Sequence, residues 1–356
     1  MKLFANILLG FLFMTNIIFP QYQQKKLEVD SLLSAYNNPD TPGAALMVIK
    51  NGNILYEHGY GLANLEEKIP VETNTNFRLA SVTKEFTATA IMILINRGKL
   101  NLKDNLKDIF PAFPAYGRKI TIKNLLNHTS GLIDYEDLIS DTATIQVKDK
   151  DVLKMMMEQD STYFDPGSQY RYCNTGYAVL AMIIEKITGQ SFPEFLKENI
   201  FQPLKMDNTI AYEKGVSEVK NRAFGYSYKD SAFIRTDQSL TSAVLGDGGI
   251  YSSVEDLYKW DQELYTEKLL PKVMVQKSFT RSELNNGEKI DYGFGWHLKT
   301  FIDHQVIYHT GSTKGFRNVI YRIPDLNFTV ILLTNRDEGD MENLAEKIVS
   351  IYLGNS

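Results

Sequence analysis

Ser81 and Lys84 are spaced so that the lysine could activate the serine. Residues three positions apart on a helix lie on the same face, one turn from each other. The amine can therefore reach the hydroxyl and take its proton when the serine attacks a carbonyl. Ser217 and Lys220 share this spacing by chance, in a polar segment. Only Ser81 begins a strongly apolar helical stretch, and the N–H groups at a helix start favour a developing oxyanion.

Two further motifs follow in the chain. Tyr172 and Asn174 form a Tyr-x-Asn pair, and residues 309–311 read His-Thr-Gly at the end of a predicted strand. Each motif alone is weak evidence, since a second Tyr-x-Asn occurs at residues 36–38. The three motifs in this order rarely coincide. Acyl transfer needs a nucleophile, a base, a proton donor and groups that stabilise an oxyanion, and the set supplies these residue types.

Composition excludes several other classes of protein. The 356 residues are 44% apolar and 12% aromatic, which predicts a folded core and excludes disorder. A net charge of −5 without a Lys/Arg block argues against nucleic-acid binding. The single cysteine, Cys173, excludes an internal disulfide and a cysteine-based zinc site. The five histidines lack zinc-hydrolase spacing, and no phosphate loop occurs, so we expect neither a metal nor an organic cofactor.

Hydrophobic patterning predicts an α+β fold. A helix over 26–37, a hairpin turning at Asn51-Gly52, four strands between 292 and 334 and a final helix over 339–353 would form an antiparallel sheet flanked by terminal helices. Further helices are predicted after Ser81 and over 121–127, 151–158, 176–188 and 191–199, with a tight turn at 246–249. We therefore assign a sheet lobe to about 25–65 and 245–356, an inserted helical lobe to about 66–200, and variable pocket loops to about 200–245.

The first twenty residues resemble a secretory signal. Lys2 is followed by an uncharged, apolar run from Leu3 to Pro20. No small-x-small cleavage site precedes Gln21, so an uncleaved membrane anchor is the alternative. We expect the protein to be exported to the periplasm or secreted, with membrane contact only through residues 1–20 if they are retained.

The chain as a whole resembles the serine β-lactamase and penicillin-recognising superfamily, in the branch of class C β-lactamases, D-Ala-D-Ala carboxypeptidases and esterases. Besides the three motifs, the resemblance rests on residues 125–132, 246–260 and 292–296. It implies a β-lactamase/transpeptidase-like fold. It also implies that Ser81 is acylated, that Lys84 activates it, and that Tyr172 carries a proton to the leaving group.

The same resemblance assigns the substrate-binding residues. By it, Asn174 positions the acyl side of the substrate, and the N–H groups of Ser81 and Ser312 form the oxyanion hole. His309, Thr310 and Gly311 occupy the strand that lines the cleft. His309 stands where class C β-lactamases have a lysine, which favours the carboxypeptidase, aminopeptidase and esterase branches. An imidazole would attract a substrate carboxylate only when protonated.

These observations predict a serine hydrolase acting through an acyl-enzyme on peptides ending in D-amino acids, peptidoglycan-derived peptides among them, or on small esters and amides. Hydrolysis of β-lactams is expected to be slow. The alternatives are a catalytically weak penicillin-binding or sensor module, a true class C-like β-lactamase, and acyl transfer in place of hydrolysis. The sequence leaves open the oligomeric state and the roles of Cys173 and Glu85.

Overall fold

The computed structural model describes residues 23–354, so the predicted signal segment lies outside the described residues. The strands are β1 (Ala44–Lys50), β2 (Asn53–Tyr60), β3 (Leu62–Asn64), β4 (Ile69–Pro70), β5 (Phe77–Arg78), β6 (Ile210–Ala211), β7 (Tyr226–Lys229), β8 (Ala232–Arg235), β9 (Ile250–Ser252), β10 (Ser282–Glu283), β11 (Lys289–Ile290), β12 (His297–Phe301), β13 (His304–Thr313), β14 (Phe316–Ile323) and β15 (Phe328–Thr334).

Residues 23–32 are helical and are called α1. The other helices are α2 (Thr83–Asn96), α3 (Leu106–Ile109), α4 (Ile122–Leu126), α5 (Asp149–Met157), α6 (Asn174–Thr188), α7 (Phe192–Leu196), α8 (Gln202–Leu204), α9 (Leu245–Gly248), α10 (Val254–Glu263), α11 (Lys272–Ser278) and α12 (Met341–Leu353). Short 3₁₀ turns occur at Ser34–Tyr36, Ala80–Val82, Ala115–Lys119, Tyr135–Leu138 and Pro324–Leu326, and a π turn at Lys197–Phe201.

Six strands form one antiparallel sheet in the order β12-β13-β14-β15-β1-β2. The central strands β1 and β15 are buried almost along their whole length because helices cover both faces. Alternate residues point to opposite faces of a strand. Leu46 and Val330 accordingly pack with residues of α1 and α12, whereas Met47 and Ile331 belong to the core that contains α2 and α10. The predicted α+β fold is thus confirmed.

Helix α2 lies in the middle of the helical part of the molecule. Eleven of its fourteen residues are buried, and its apolar side chains share one core with those of α6 and α10. A helix that is apolar on nearly every face must be enclosed by other elements. The sequence predicted this burial from Phe86 to Ile95. Because it is surrounded, α2 holds the residues at its first turn in a fixed place.

Two local predictions were wrong. Residues 245–248 form the short helix α9 rather than the predicted tight turn. The strand expected to begin at Tyr292 begins only at His297. Gly295, with φ +79°, turns the preceding segment against α2, and a side chain there would meet the Lys84 carbonyl oxygen at 2.8 Å. No helix within residues 23–354 is long and apolar enough to cross a membrane.

Candidate active site

Ser81 lies where the chain passes from β5 into α2, inside the 3₁₀ turn Ala80–Val82. Ala80 has φ +50°, a left-handed conformation that costs an alanine roughly 1–2 kcal/mol. This bend leaves the serine partly exposed at the wall of a small polar cleft. The cleft is lined by Arg78, Ala80, Ser81, Tyr135, Glu136, Asn174, Thr241, Asp247, Gly248, Ser312 and Thr313.

Lys84 is fully buried behind Ser81, and its Nζ has three polar neighbours. It lies 3.0 Å from Ser81 Oγ, 2.8 Å from Asn174 Oδ1 and 2.9 Å from the carbonyl oxygen of Asp247. An amide oxygen and a peptide carbonyl can only accept hydrogen bonds. They therefore take two N–H groups of the amine. In a neutral amine, the remaining lone pair points to the Ser81 hydroxyl and can receive its proton.

Asn174 is fixed on both sides, which sets the direction of its amide. It is the first residue of α6, and its backbone N–H donates to Asp134 Oδ2 at 3.2 Å. Its side-chain Nδ2 donates to Glu136 Oε1 at 3.1 Å. With the amide nitrogen directed to this carboxylate, Oδ1 turns towards Lys84. The Tyr-x-Asn motif and the Ser-x-x-Lys motif are thus joined by a direct hydrogen bond.

Tyr172 presents its ring to the same lysine. Lys84 Nζ lies 5.0 Å from the ring centroid, within the range of a cation–π contact. The ring also lies 4.3 Å from that of His128, whose Nδ1 accepts the Cys173 backbone N–H at 3.2 Å. The His128 carbonyl also accepts the Arg171 N–H at 3.0 Å, so His128 has a structural hydrogen-bonding role and holds residues 171–173 in place. The proton-carrying role of Tyr172 stays a prediction.

Strand β13 forms the opposite wall of the cleft. A side chain at Gly311 would meet the Leu79 carbonyl oxygen at 2.1 Å, so only glycine allows the strand to approach the start of α2 this closely. Asn318 on the neighbouring strand donates to the Arg78 carbonyl at 2.8 Å and secures the contact. Ser312 consequently lines the cleft together with Ser81. Their N–H groups remain the predicted oxyanion hole.

His309, which could attract a substrate carboxylate only when protonated, is enclosed by the protein. It is 1% exposed. Its Nε2 lies 3.0 Å from the Tyr292 hydroxyl and its Nδ1 lies 2.7 Å from the Thr310 carbonyl. Nδ1 must donate to that carbonyl, so Nε2 accepts from the tyrosine. Burial, with His297 and Lys84 nearby, lowers the pKa of His309 well below its usual value. The imidazole is therefore neutral at physiological pH, and a charged contact with a substrate carboxylate is not expected from it.

Two residues left open by the sequence have structural positions. Cys173 is buried, and burial raises the pKa of its thiol to about 12. Glu85 is buried on the far side of α2, where its Oε2 accepts from Trp260 Nε1 at 2.9 Å. Burial raises the pKa of Glu85 well above its usual value. Neither side chain lines the cleft.

Sequence reasoning missed the acidic wall of the cleft. Asp247 accepts the Tyr135 hydroxyl at 3.0 Å, and burial raises its pKa to about 6 although Lys84 lowers it. Glu136 lines the cleft as well. Asp247 lies in the block 246–260 that supported the family resemblance, but its glycine-rich surroundings suggested only a turn. Its contact with Lys84 depends on how α9 packs against α2, which no local pattern reveals.

Comparison with known proteins assigns the chain to a family. The family model described as Beta-lactamase matches residues 29–352. The chain belongs to the beta-lactamase family. Penicillin-binding protein 4* of Bacillus subtilis (strain 168) is 35% identical over 332 residues, which cover 89% of this beta-lactamase-family chain and 73% of that relative. The chain spans only 62% of the length of a second relative, protein flp of Staphylococcus aureus.

Solved structures agree with this assignment. An octameric penicillin-binding protein homologue from Pyrococcus abyssi has a TM-score of 0.81 at 26% identity, covering 94% of this chain and 78% of that one. D-amino acid amidase from Ochrobactrum anthropi SV3 has a TM-score of 0.77 at 22% identity, covering 93% and 97%, and shows a shared fold. The beta-lactamase-family chain is a serine hydrolase, as the sequence predicted.

Proposed function

We propose that this serine hydrolase is exported and acts through an acyl-enzyme on peptides ending in D-amino acids or on small amides and esters. The contact that carries the proposal is the one between Lys84 Nζ and Ser81 Oγ, 3.0 Å apart, with the other two directions around Nζ occupied by acceptors. The neutral amine takes the serine proton as Oγ bonds to the substrate carbonyl carbon. The leaving group departs with a proton delivered through Tyr172, and water then hydrolyses the acyl-enzyme.

The charge of the cleft favours some substrates over others. Glu136 and Asp247 place carboxyl groups beside the nucleophile, and His309 is neutral. Such a wall attracts a substrate ammonium more than a carboxylate. The similarity in fold to a D-amino acid amidase supports amides of free amino acids as one substrate class. By the same argument, β-lactams and peptides that carry a free carboxylate are expected to be poorer substrates than uncharged amides and esters.

Active-site labelling tests the chemistry. A fluorophosphonate and a fluorescent penicillin are incubated with wild type and with Ser81→Ala, and the adducts are mapped by mass spectrometry. We expect one adduct, on Ser81, which is absent from the variant. An adduct that persists in Ser81→Ala would contradict the assignment.

Turnover assays distinguish the proposed hydrolase from a binding module, a β-lactamase and an acyltransferase. D-alanyl peptides, D-amino acid amides, activated esters and a chromogenic cephalosporin are compared at equal concentration. A stable adduct without turnover of any of them would favour a penicillin-binding or sensor module. Rapid cephalosporin turnover would favour a true β-lactamase, and product formed on an added amine or alcohol would indicate acyl transfer.

Export has its own test. Cell fractionation of the full-length chain and of a chain lacking residues 1–20 is expected to show export of the first alone, because the apolar run from Leu3 to Pro20 is the only export signal that the sequence suggests. Full-length protein found free in the cytoplasm would contradict this part of the proposal.

A further inference from the structure

Helix α9 holds three successive backbone carbonyls against residues of β5 and α2, on either side of the turn that carries Ser81. The Gly246 carbonyl accepts the Thr87 hydroxyl at 2.7 Å, and the Gly248 carbonyl accepts Arg78 Nε at 3.1 Å. Between them, the Asp247 carbonyl accepts Lys84 Nζ at 2.9 Å. A small displacement of α9 would therefore change the direction of the Lys84 amine.

One carboxyl group anchors the other end of this segment. Asp149 Oδ2 accepts the Leu245 N–H at 2.8 Å, and its Oδ1 accepts the Gly246 N–H at 2.9 Å. Asp149 begins α5, far from Lys84 in the chain, and is 8% exposed. Gly246 packs closely against α6, because an added Cβ there would meet the Tyr177 carbonyl oxygen at 2.4 Å.

We infer that Asp149 is a positioning residue for acylation, which acts by holding α9 so that the Asp247 carbonyl orients the Lys84 amine towards Ser81. Asp149 is absent from the residues that line the cleft, and both of its carboxyl oxygens accept N–H groups of α9. The inference rests on the proposed role of Lys84 as the base. No feature of the sequence around Asp149 indicates this role.

The charge state of Asp149 matters because two N–H groups need two accepting oxygens. Burial raises its pKa to about 7, although the two N–H groups and the backbone act to lower it and Asp247 adds to the rise. Lys148 and Lys150 flank it, and the cavity it borders is also lined by Glu185 of α6 and by Glu213 and Lys214. Below pH 7 the protonated carboxyl loses one good acceptor, and α9 is held less firmly.

The test compares Asp149→Asn with Asp151→Asn. Asp151 lies in the first turn of the same helix and accepts the Lys148 N–H at 3.0 Å, so its loss disturbs α5 without touching α9. We measure acylation of Ser81 by a neutral activated ester in stopped flow from pH 5.5 to 8.5, with equilibrium unfolding of each variant. Asp149→Asn is expected to acylate about 10- to 100-fold more slowly, with KM changed less than kcat. The acid limb near pH 7 should also disappear, and Asp151→Asn should retain the wild-type rate and profile.

A Lys84→Met background separates positioning from general damage. If Asp149 acts through Lys84, adding Asp149→Asn there should slow the residual reaction no further. Equal acylation by wild type and Asp149→Asn, or an equal loss in Asp151→Asn, would overturn the inference. If Asp149→Asn does not fold, Asp149→Ser, which retains one acceptor, is measured with the same expectation. Absence of a Ser81 adduct in wild type would instead contradict the proposed function.

Discussion

The neutral state of His309 predicts how this enzyme treats charged substrates. Two esters are compared that differ only in a free carboxylate on one and its methyl ester on the other. Because burial lowers the pKa of His309 well below its usual value, the imidazole does not change charge between pH 6 and 8. The Asp247 carboxyl, with a pKa of about 6, goes from about half ionised to almost fully ionised over this range, so we expect the ratio of kcat/KM for the two esters to change by no more than about twofold.

A His309 that titrated normally would produce a large change in this ratio. A histidine with an ordinary pKa of about 6.5 would lose roughly 25-fold in its charged fraction from pH 6 to pH 8. If that charge bound the carboxylate, the ratio would fall by a similar factor. Stopped-flow or initial-rate assays resolve such a difference easily.

Substitutions at His309 extend the test to stability. A glutamine can donate to the Thr310 carbonyl and accept from the Tyr292 hydroxyl, so His309→Gln should lose little free energy of unfolding. A lysine cannot accept, and leaving the buried tyrosine hydroxyl without an acceptor costs about 1–3 kcal/mol. Burying an ammonium at this position adds several kcal/mol. His309→Lys should therefore be much less stable than His309→Gln in urea unfolding.

Two results would refute this reasoning. A wild-type ratio that falls with a midpoint near pH 6.5, and becomes flat in His309→Gln, would show that the protonated imidazole binds the carboxylate. A His309→Lys variant as stable as wild type would likewise show that the position tolerates a cation.

Three further outcomes are expected. Lys84→Met and Tyr172→Phe should each slow acylation by about 10²–10⁴-fold. Because one proton passes through both groups, the double variant should be slowed by far less than the two single factors multiplied together. Multiplicative losses in single-turnover assays would contradict this. The raised pKa of Glu85 gives the wild type a stability that is complete below the unfolded pKa and is lost as pH rises. The free energy of unfolding of Glu85→Gln in urea should therefore rise relative to that of wild type, by up to about 1.4 kcal/mol per pH unit above about pH 4.5. A difference that does not change with pH would show that Glu85 does not titrate abnormally. Cys173, buried with its pKa raised to about 12, should not react with iodoacetamide at pH 8 until the protein is unfolded, and rapid native labelling would show an open site.

The sequence by itself determined the pairing of Ser81 with Lys84 and most of the strands and helices that hold them. The Ser-x-x-Lys spacing required only helical geometry, and a helix with apolar residues on every face had to be enclosed. The strands from β12 to β15 and the hairpin of β1 and β2 followed from local alternation and turn residues. These features depend on neighbours within a few positions, so a single sequence records them.

The tertiary structure alone decided the electrostatics of the site. His309 carries an imidazole wherever it lies, but its neutrality comes from burial and from the neighbouring His297 and Lys84, which together lower its pKa. The sequence suggested a turn at Asp247, and only the packing of α9 against α2 brings its carbonyl to Lys84. Asp149 reaches that helix across a long stretch of chain. Charge state and orientation depend on which distant groups are brought together and how far water is excluded, and no local pattern of residues contains that information.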